Sequence, residues 1–264
     1  KEAIMGNNLV TGGFGFVGKF LIRHLIDAGE RTVVFDIKEG LIPANRAEDQ
    51  VKVFLGDLTN WEEVQAVVKE NDIDCIYHLG VMLLSAAEKD PQGACMINVY
   101  GTLNILEAAR RFHVGSVIYA SSGGASGEAI PPDINEALIS IPNTMYGLTK
   151  FFGERFGEFY HYKYNTNFRS ARFPVVIGPG GNTGISRYAS LMIQEPALGR
   201  SYSPYVDESV KIPFMYIKDI VRALVTLRKA DEAGLKRRVY NLEGIELTAG
   251  EQRDIITKYL PDAK

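Results

Sequence analysis

The 264-residue chain is 46% hydrophobic and 23% charged, the values of an ordinary globular protein and not of a disordered, collagen-like or membrane-embedded one. A formal net charge of −3 gives no electrostatic footprint for nucleic acid or an anionic membrane, so small-molecule partners are expected. Cys75 and Cys95, with no C-x-x-C and no clustered histidines, suggest neither a disulfide framework nor a zinc site, and no metal is expected.

The opening "KEAIMGNNLVTGG" lacks the apolar stretch of a signal peptide, and no run approaches the ~20 apolar residues of a membrane span, which sets a soluble, cytoplasmic expectation. "NNLVTGG" reads as a strand, "GKFLIRHLIDAGE" as a helix closed by Gly29, and "RTVVFD" as a second strand. "VKVFLGD" and "DCIYHLG" read as strands around the helix "NWEEVQAVVKEND", capped by Asn60. A long helix "MINVYGTLNILEAARRF", a strand "GSVIYASS" and a helix from "YGLTK" follow. Apolar strands joined by helices predict a doubly wound parallel sheet covered on both faces.

After Arg172 the pattern changes. "VVIGPGGNTG" reads as a loop, "ISRYASLMIQEPALGR" as a helix, "SYSPYVDES" as a loop, "VKIPFMYI" as a strand and "KDIVRALVTLRKA" as a helix, before a final strand "RVYNLEG" and helix "TAGEQRDIITKYL". With no internal repeat or low-complexity linker, the expected division is a dinucleotide-binding domain of residues 1–172 with 212–242, and a small C-terminal substrate lobe of 173–211 and 243–264.

"LVTGGFGFVG" is the strongest local signal. Gly12, Gly15 and Gly18, with Gly13 giving the alternative G-x-G-x-x-G, lie where a strand turns into a helix, so backbone N–H groups and the helix dipole can meet a pyrophosphate. Asp36 ends the second strand, where a carboxylate can bond the adenosine ribose hydroxyls and repel a 2′-phosphate; NAD is therefore favoured over NADP, although Lys38 lies close by. In "TMYGLTK", Tyr146 and Lys150 stand one helical turn apart on one face, a possible proton-transfer pair or an ordinary solvated helix face.

"TGGFGFVG", Asp36, "GDL" at 56–58, "HLG" at 78–80, "NVYGTLNILEAA", "YASS" and "YGLTK" together resemble the extended short-chain dehydrogenase/reductases, the NAD-dependent epimerase/dehydratase family. The resemblance covers nearly the whole chain and implies a Rossmann-type α/β fold binding NAD. Around that cofactor it implies Gly12, Gly15, Phe16 and Val17 at the first turn, and Asp57 and Leu58 beside the adenine. Leu79, Gly80 and Val81 would line it, Asn98 would support the site from its helix, and Phe173 and Val176 would complete it. Taken singly, Asp57 could be a strand-end cap and Asn98 a satisfied buried amide; their joint register favours the functional reading.

The same resemblance makes Tyr146 the acid/base, taking a proton from a substrate hydroxyl as hydride passes to NAD, or the reverse. A free tyrosine titrates near 10, so Lys150, also a cofactor contact, and the positive nicotinamide are expected to stabilise its phenolate. Ser122 matches the serine that bonds the reacting oxygen, with Ser121 a second choice. "GVMLLSAAEKDP", "IPNTMYG" and "IPFMYIKDIVRAL" are most similar to the L-threonine 3-dehydrogenase branch. Two departures count against threonine itself: "PGGNTGISRYA" carries no acidic residue in its turn, and Asn143 replaces a basic residue.

The expected activity is therefore hydride transfer between NAD and a secondary alcohol of a small hydroxy acid, amino alcohol acid or polyol. Ser85, Ser122, Tyr146, Thr183 and Arg187 are the candidate substrate contacts. A nucleotide-sugar epimerase or dehydratase is the alternative, and a non-catalytic dinucleotide sensor a third reading. A homodimer is also implied, with "MINVYGTLNILEAARRF" and the helix bearing Phe151, Phe152, Phe156 and Phe159 pairing across a two-fold axis.

Overall fold

A computed structural model describes residues 6–41, 50–127, 141–181, 184 and 186–261. In Asn7–Thr11 (β1) the consecutive residues Leu9 and Val10 are both buried, the mark of a strand covered on both faces. Around it lie Thr32–Asp36 (β2), Val51–Leu55 (β3), Ile73–His78 (β4), Ser116–Ser122 (β5) and Phe168–Phe173 (β6). With Val239–Asn241 as the last strand, they form a seven-stranded, all-parallel sheet in which β3, β2, β1, β4, β5 and β6 follow in that order. The strand order reverses between β1 and β4, which opens a crevice at the carboxyl ends of those two strands.

Helices cover both faces. Phe16–Asp27 (α1) buries Leu21, Ile22, Leu25 and Ile26 and ends at Gly29, whose φ of +74° is the left-handed stop expected there. Trp61–Lys69 (α2) starts at Asn60, whose side chain accepts from the backbone N–H groups of Glu62 and Glu63. Two short turns, Leu84–Ala87 (α3) and Pro91–Ala94 (α4), lead into Gly101–Arg111 (α5). Met145–Tyr164 (α6) presses on the sheet, because Gly153 and Gly157 leave room for the rings of Tyr119 and Phe168; a Cβ at either position would collide with those rings.

The rest of the chain builds a smaller layer. Val175–Ile177 (β7) runs parallel to Lys211–Tyr216 (β8), and Ile245–Thr248 is antiparallel to β8 on its other side. Tyr188–Ala197 (α7) and Ala249–Tyr259 pack there around Tyr188, Met192 and Phe214, the latter helix beginning in a Thr248–Glu251 capping box. Ile217–Lys229 (α8) returns to the large sheet beside α1. Numbered in chain order, Val239–Asn241 is β9, Ile245–Thr248 is β10 and Ala249–Tyr259 is α9.

Several elements depart from the sequence expectation. The long helix from Met96 is instead a π-helical segment, Cys95–Tyr100, running into α5. β6 has no counterpart in the sequence pattern because Arg169, Ser170 and Arg172 are buried in it. Val175–Ile177, expected as loop, is a strand, and β10 was not foreseen. β8, expected within the larger domain, is the middle strand of the small sheet. The helix expected from Ile185 begins at Tyr188; Ile185 and Thr183 lie outside the described residues. Among the described residues no helix is long and apolar enough to cross a membrane, and no cluster of His, Cys, Asp and Glu could hold a metal ion.

Candidate active site

The crevice between β1 and β4 is floored by two loops in contact. Gly12 has φ of +64°, and a Cβ there would stand 2.7 Å from Cα and 2.8 Å from N of Gly80, so the first turn and the loop after β4 can meet only through glycine. α1 starts at Phe16 with Gly15 before it and no side-chain cap, leaving its first N–H groups and its positive dipole end for an anion. The Asp36 carboxylate, at the tip of β2, accepts from the N–H of Phe14 at 3.0 Å and so faces this turn. These features fit a dinucleotide: bare N–H groups for the pyrophosphate, a carboxylate for the ribose. Val17, Leu79, Phe173 and Val176 pack together on one core cluster, while the Phe16 ring reaches the loop at Gly178 and Gly181.

A buried hydrogen-bond chain ties this turn to the far side of the site. Thr11 Oγ1 accepts from the N–H groups of Leu79 and Gly80, at 3.2 and 3.1 Å, and meets His78 Nδ1 at 2.7 Å. With both its lone pairs engaged, the Thr11 hydroxyl donates to Nδ1, so the proton of His78 sits on Nε2 and points to Thr102 Oγ1 at 3.0 Å. Thr102 in turn donates to the Asn98 carbonyl at 2.6 Å. Burial, reinforced by the charge of Lys150, lowers the His78 pKa to about 3, so the ring stays neutral. Asn98, inside the π-helical segment, clamps the loop to α6: its amide accepts from Met82 N at 2.7 Å and donates to Met82 O and to Thr149 Oγ1, both at 3.0 Å.

Ser122, Tyr146 and Lys150 converge where β5 ends against the first turns of α6. Thr144 caps that helix by accepting from Gly147 N at 3.0 Å, and the Glu88 carboxylate accepts from the N–H of Tyr146 itself at 3.2 Å. Burial pushes the Tyr146 phenol up to about 12, opposed by the nearby Ser122 hydroxyl. Lys150 is 2% exposed; it donates to the Ala120 carbonyl at 2.6 Å and lies 4.8 Å from the centre of the Tyr119 ring. Burial pulls it down to about 7, opposed by the charge of Glu154. Ser121 faces away from the phenol and donates to Glu154 Oε1 at 2.6 Å, which leaves Ser122 as the serine of the pair.

The remaining expected residues are less closely gathered. Asp57 accepts from Thr59 N at 2.8 Å in a tight turn after β3, and Leu58 lies under Gly80 and Gly101. Val81 is half-buried beside the Met82 clamp. Ser85 is exposed on α3, and Arg187 is exposed at the start of α7 with no carboxylate partner among the described residues. Thr11, His78, Thr102, Glu88, Glu154 and Arg172 were not foreseen. Thr11, His78 and Thr102 lie inside the motifs "TGGFGFVG", "HLG" and "NVYGTLNILEAA", and Glu154 had its signal as the next i+4 position after Tyr146 and Lys150.

The sequence profile of the NAD dependent epimerase/dehydratase family matches residues 8–242. The chain belongs to that family. Across 99% of its length it is 27% identical to the mitochondrial L-threonine 3-dehydrogenase of Sus scrofa, spanning 70% of that protein. The solved GalE-like L-threonine dehydrogenase of Cupriavidus necator, in its holo form, superposes with a TM-score of 0.88 at 27% identity, covering 98% of this chain and 84% of that one. The UDP-glucose 4-epimerase of Thermus thermophilus in complex with NAD gives 0.81 at 24% identity over 97% and 84% of the two chains, a likeness of fold.

NAD is the cofactor of this epimerase/dehydratase family member. Asp36→Ala is expected to weaken NAD about tenfold and narrow its preference over NADP, because one carboxylate supplies both the ribose acceptor and the repulsion of a 2′-phosphate. Titrating both cofactors checks this; an unchanged preference assigns selection to another group.

Proposed function

We propose that this protein is an NAD-dependent dehydrogenase acting on a secondary alcohol of a small hydroxy acid, amino alcohol acid or polyol, with Tyr146 as its acid/base. The observation that carries the reading is the convergence of Ser122, Tyr146 and Lys150 at the end of β5, beside the crevice where the dinucleotide fits. NAD, when bound, accepts the hydride from the alcohol carbon. The Ser122 hydroxyl lies beside the Tyr146 phenol, so a substrate oxygen entering between them would be oriented by the serine and give its proton to the phenolate. Lys150 lowers the cost of that phenolate while it stays charged. The similarity to L-threonine dehydrogenases makes L-threonine the first substrate to test.

The smaller sheet with α7 and α9 is proposed as the substrate lobe. Arg187, whose guanidinium lacks a carboxylate partner among the described residues, is read as the contact for a substrate carboxylate. Mixing protein, NAD and a panel of L-threonine, hydroxy acids and UDP-sugars, then following NADH absorbance and the products, tests the reading. Net NADH with a carboxylate-bearing alcohol is expected, and Arg187→Ala is expected to raise its KM about tenfold to a hundredfold while NAD affinity holds, since a charge-assisted bond contributes roughly 1.5–3 kcal/mol. Interconversion of UDP-sugars without NADH release would replace this reading by the epimerase one, which the family name also supports.

A homodimer is proposed through the π-helical segment with α5, and through α6, where Met96, Tyr100, Phe152 and Phe159 are exposed although large and apolar. Sedimentation over a range of concentrations is expected to give a dimer; a monomer at every concentration removes the proposal.

A further inference from the structure

Positions 146, 150 and 154 form one row along α6, and three consecutive residues of β5 hold them. The Ser122 hydroxyl lies beside the Tyr146 phenol, the Ala120 carbonyl accepts from Lys150 Nζ at 2.6 Å, and Ser121 Oγ donates to Glu154 Oε1 at 2.6 Å. Glu154 is wholly buried and pairs with Arg172 of β6 by two bonds of 2.7 Å, from Nε to Oε1 and from Nη2 to Oε2. Arg172 Nη1 also donates to Ser126 Oγ at 3.0 Å, in the turn that follows Ser122. The pair therefore braces both the helix with the phenol and the turn after its serine.

A wholly buried ion pair contributes little net stability, since apolar residues of similar size usually serve as well. Its placement next to a buried ammonium gives it a different use. The titratable groups facing Lys150 are Tyr146 and Glu154 on α6, Tyr119 on β5 and His78 on β4. Tyr119 is pushed well above its ordinary value by burial and His78 is neutral, so Glu154 is the one negative charge facing Lys150 among the described residues. Arg172 and Arg155 stand beyond it, Arg155 at 3.8 Å from Glu154 Oε2.

We propose that Glu154 is a positioning residue that keeps Lys150 charged, so that Tyr146, Lys150 and Glu154 act as one electrostatic unit. The proposal rests on the reading of Tyr146 as acid/base and adds the group that holds its lysine in the working state.

The consequence is visible in the pH dependence. The working form has Lys150 charged and Tyr146 ionised, whereas the first proton lost on raising the pH leaves Lys150, near about 7. Alcohol oxidation therefore rises with pH up to that region and then levels, because beyond it the charged-lysine, ionised-tyrosine form is a fixed fraction of the singly deprotonated protein. Glu154→Gln weakens proton binding at Lys150 by about tenfold, the lower end for a neighbouring opposite charge. Its rate profile should superimpose on wild type in the acid limb, level off about one pH unit earlier, and reach about a tenth of the wild-type plateau. Damage to packing alone would lower the curve in parallel at every pH.

The test measures kcat/KM with NAD and L-threonine across pH for wild type and Glu154→Gln, and titrates the Lys150 13Cε resonance, assigned by its absence in Lys150→Met. Should Arg172, left unpaired, prevent Glu154→Gln from folding, the double variant Glu154→Gln, Arg172→Met removes both buried charges and is expected to show the same early, low plateau. A Lys150 midpoint unmoved in a folded variant overturns the proposal, as does a parallel drop in rate. The resonance needs no turnover: if it moves while no alcohol is oxidised by any variant, the electrostatic unit stands and the dehydrogenase reading fails.

Discussion

Tyr146→Phe is expected to lower kcat at least about 10²-fold while NAD binds within about twofold of wild type. The substitution keeps the ring and the helix start, because the Thr144 cap, the Glu88 bond to the backbone N–H and the Lys150 bond to Ala120 involve none of the phenol oxygen. What disappears is the phenol oxygen, the proposed point of proton exchange with the substrate, beside the Ser122 hydroxyl. Steady-state rates with the alcohol that generates NADH, set beside calorimetric NAD titrations, check both halves. Retention of more than about a tenth of wild-type kcat would move the acid/base role elsewhere.

Gly12→Val is the second large effect, expected to weaken NAD by more than about a hundredfold. Two costs combine: left-handed backbone, about 1–2 kcal/mol for a residue with a Cβ, and a collision with the backbone of Gly80 that no rotamer relieves. Relief requires moving the loop after β4, which is also the segment bonded by Thr11 and clamped through Met82 by Asn98. Gly29→Ala separates the terms. It shares the left-handed conformation, with φ of +74°, but a Cβ there meets nothing within 4 Å. Its expected outcome is a loss of about 1 kcal/mol in denaturant unfolding with NAD affinity intact; equal loss of NAD binding in both variants would show that general destabilisation explains the effect.

The legible parts of the sequence were those whose signals are local. β1, the glycine turn, Asp36 and the Tyr146–Lys150 spacing each sit within a few residues of the feature that reveals them, and Asn60 and Gly29 mark their helix ends by side chain or backbone alone. β6 was hidden because its buried polar residues have remote partners. Arg169 Nη1 donates to the carbonyls of Leu227, Arg228 and Ala230 at the end of α8, and Arg172 meets Glu154 on α6. A pattern search that equates burial with apolarity reads such a strand as surface. β7 and β10 were hidden for another reason: at three and four residues, each exists only through pairing with β8. The π-helical turn that carries Asn98 has no composition of its own and follows from the amide's bonds to Met82 and Thr149.

The bare rear of α6 at Gly153 and Gly157 makes the height of that helix above the sheet a setting fixed by two aromatic rings, and the proposed acid/base pair inherits it. Tyr146 and Lys150 ride on the same rigid rod, so a methyl group added two turns behind the phenol would tilt it like a lever whose short arm rests on Tyr119. Such a tilt would strain the 2.6 Å bond from Lys150 to Ala120. Reactivity here can thus be graded by the bulk of side chains that touch neither cofactor nor alcohol, a dial on the hidden side of the helix.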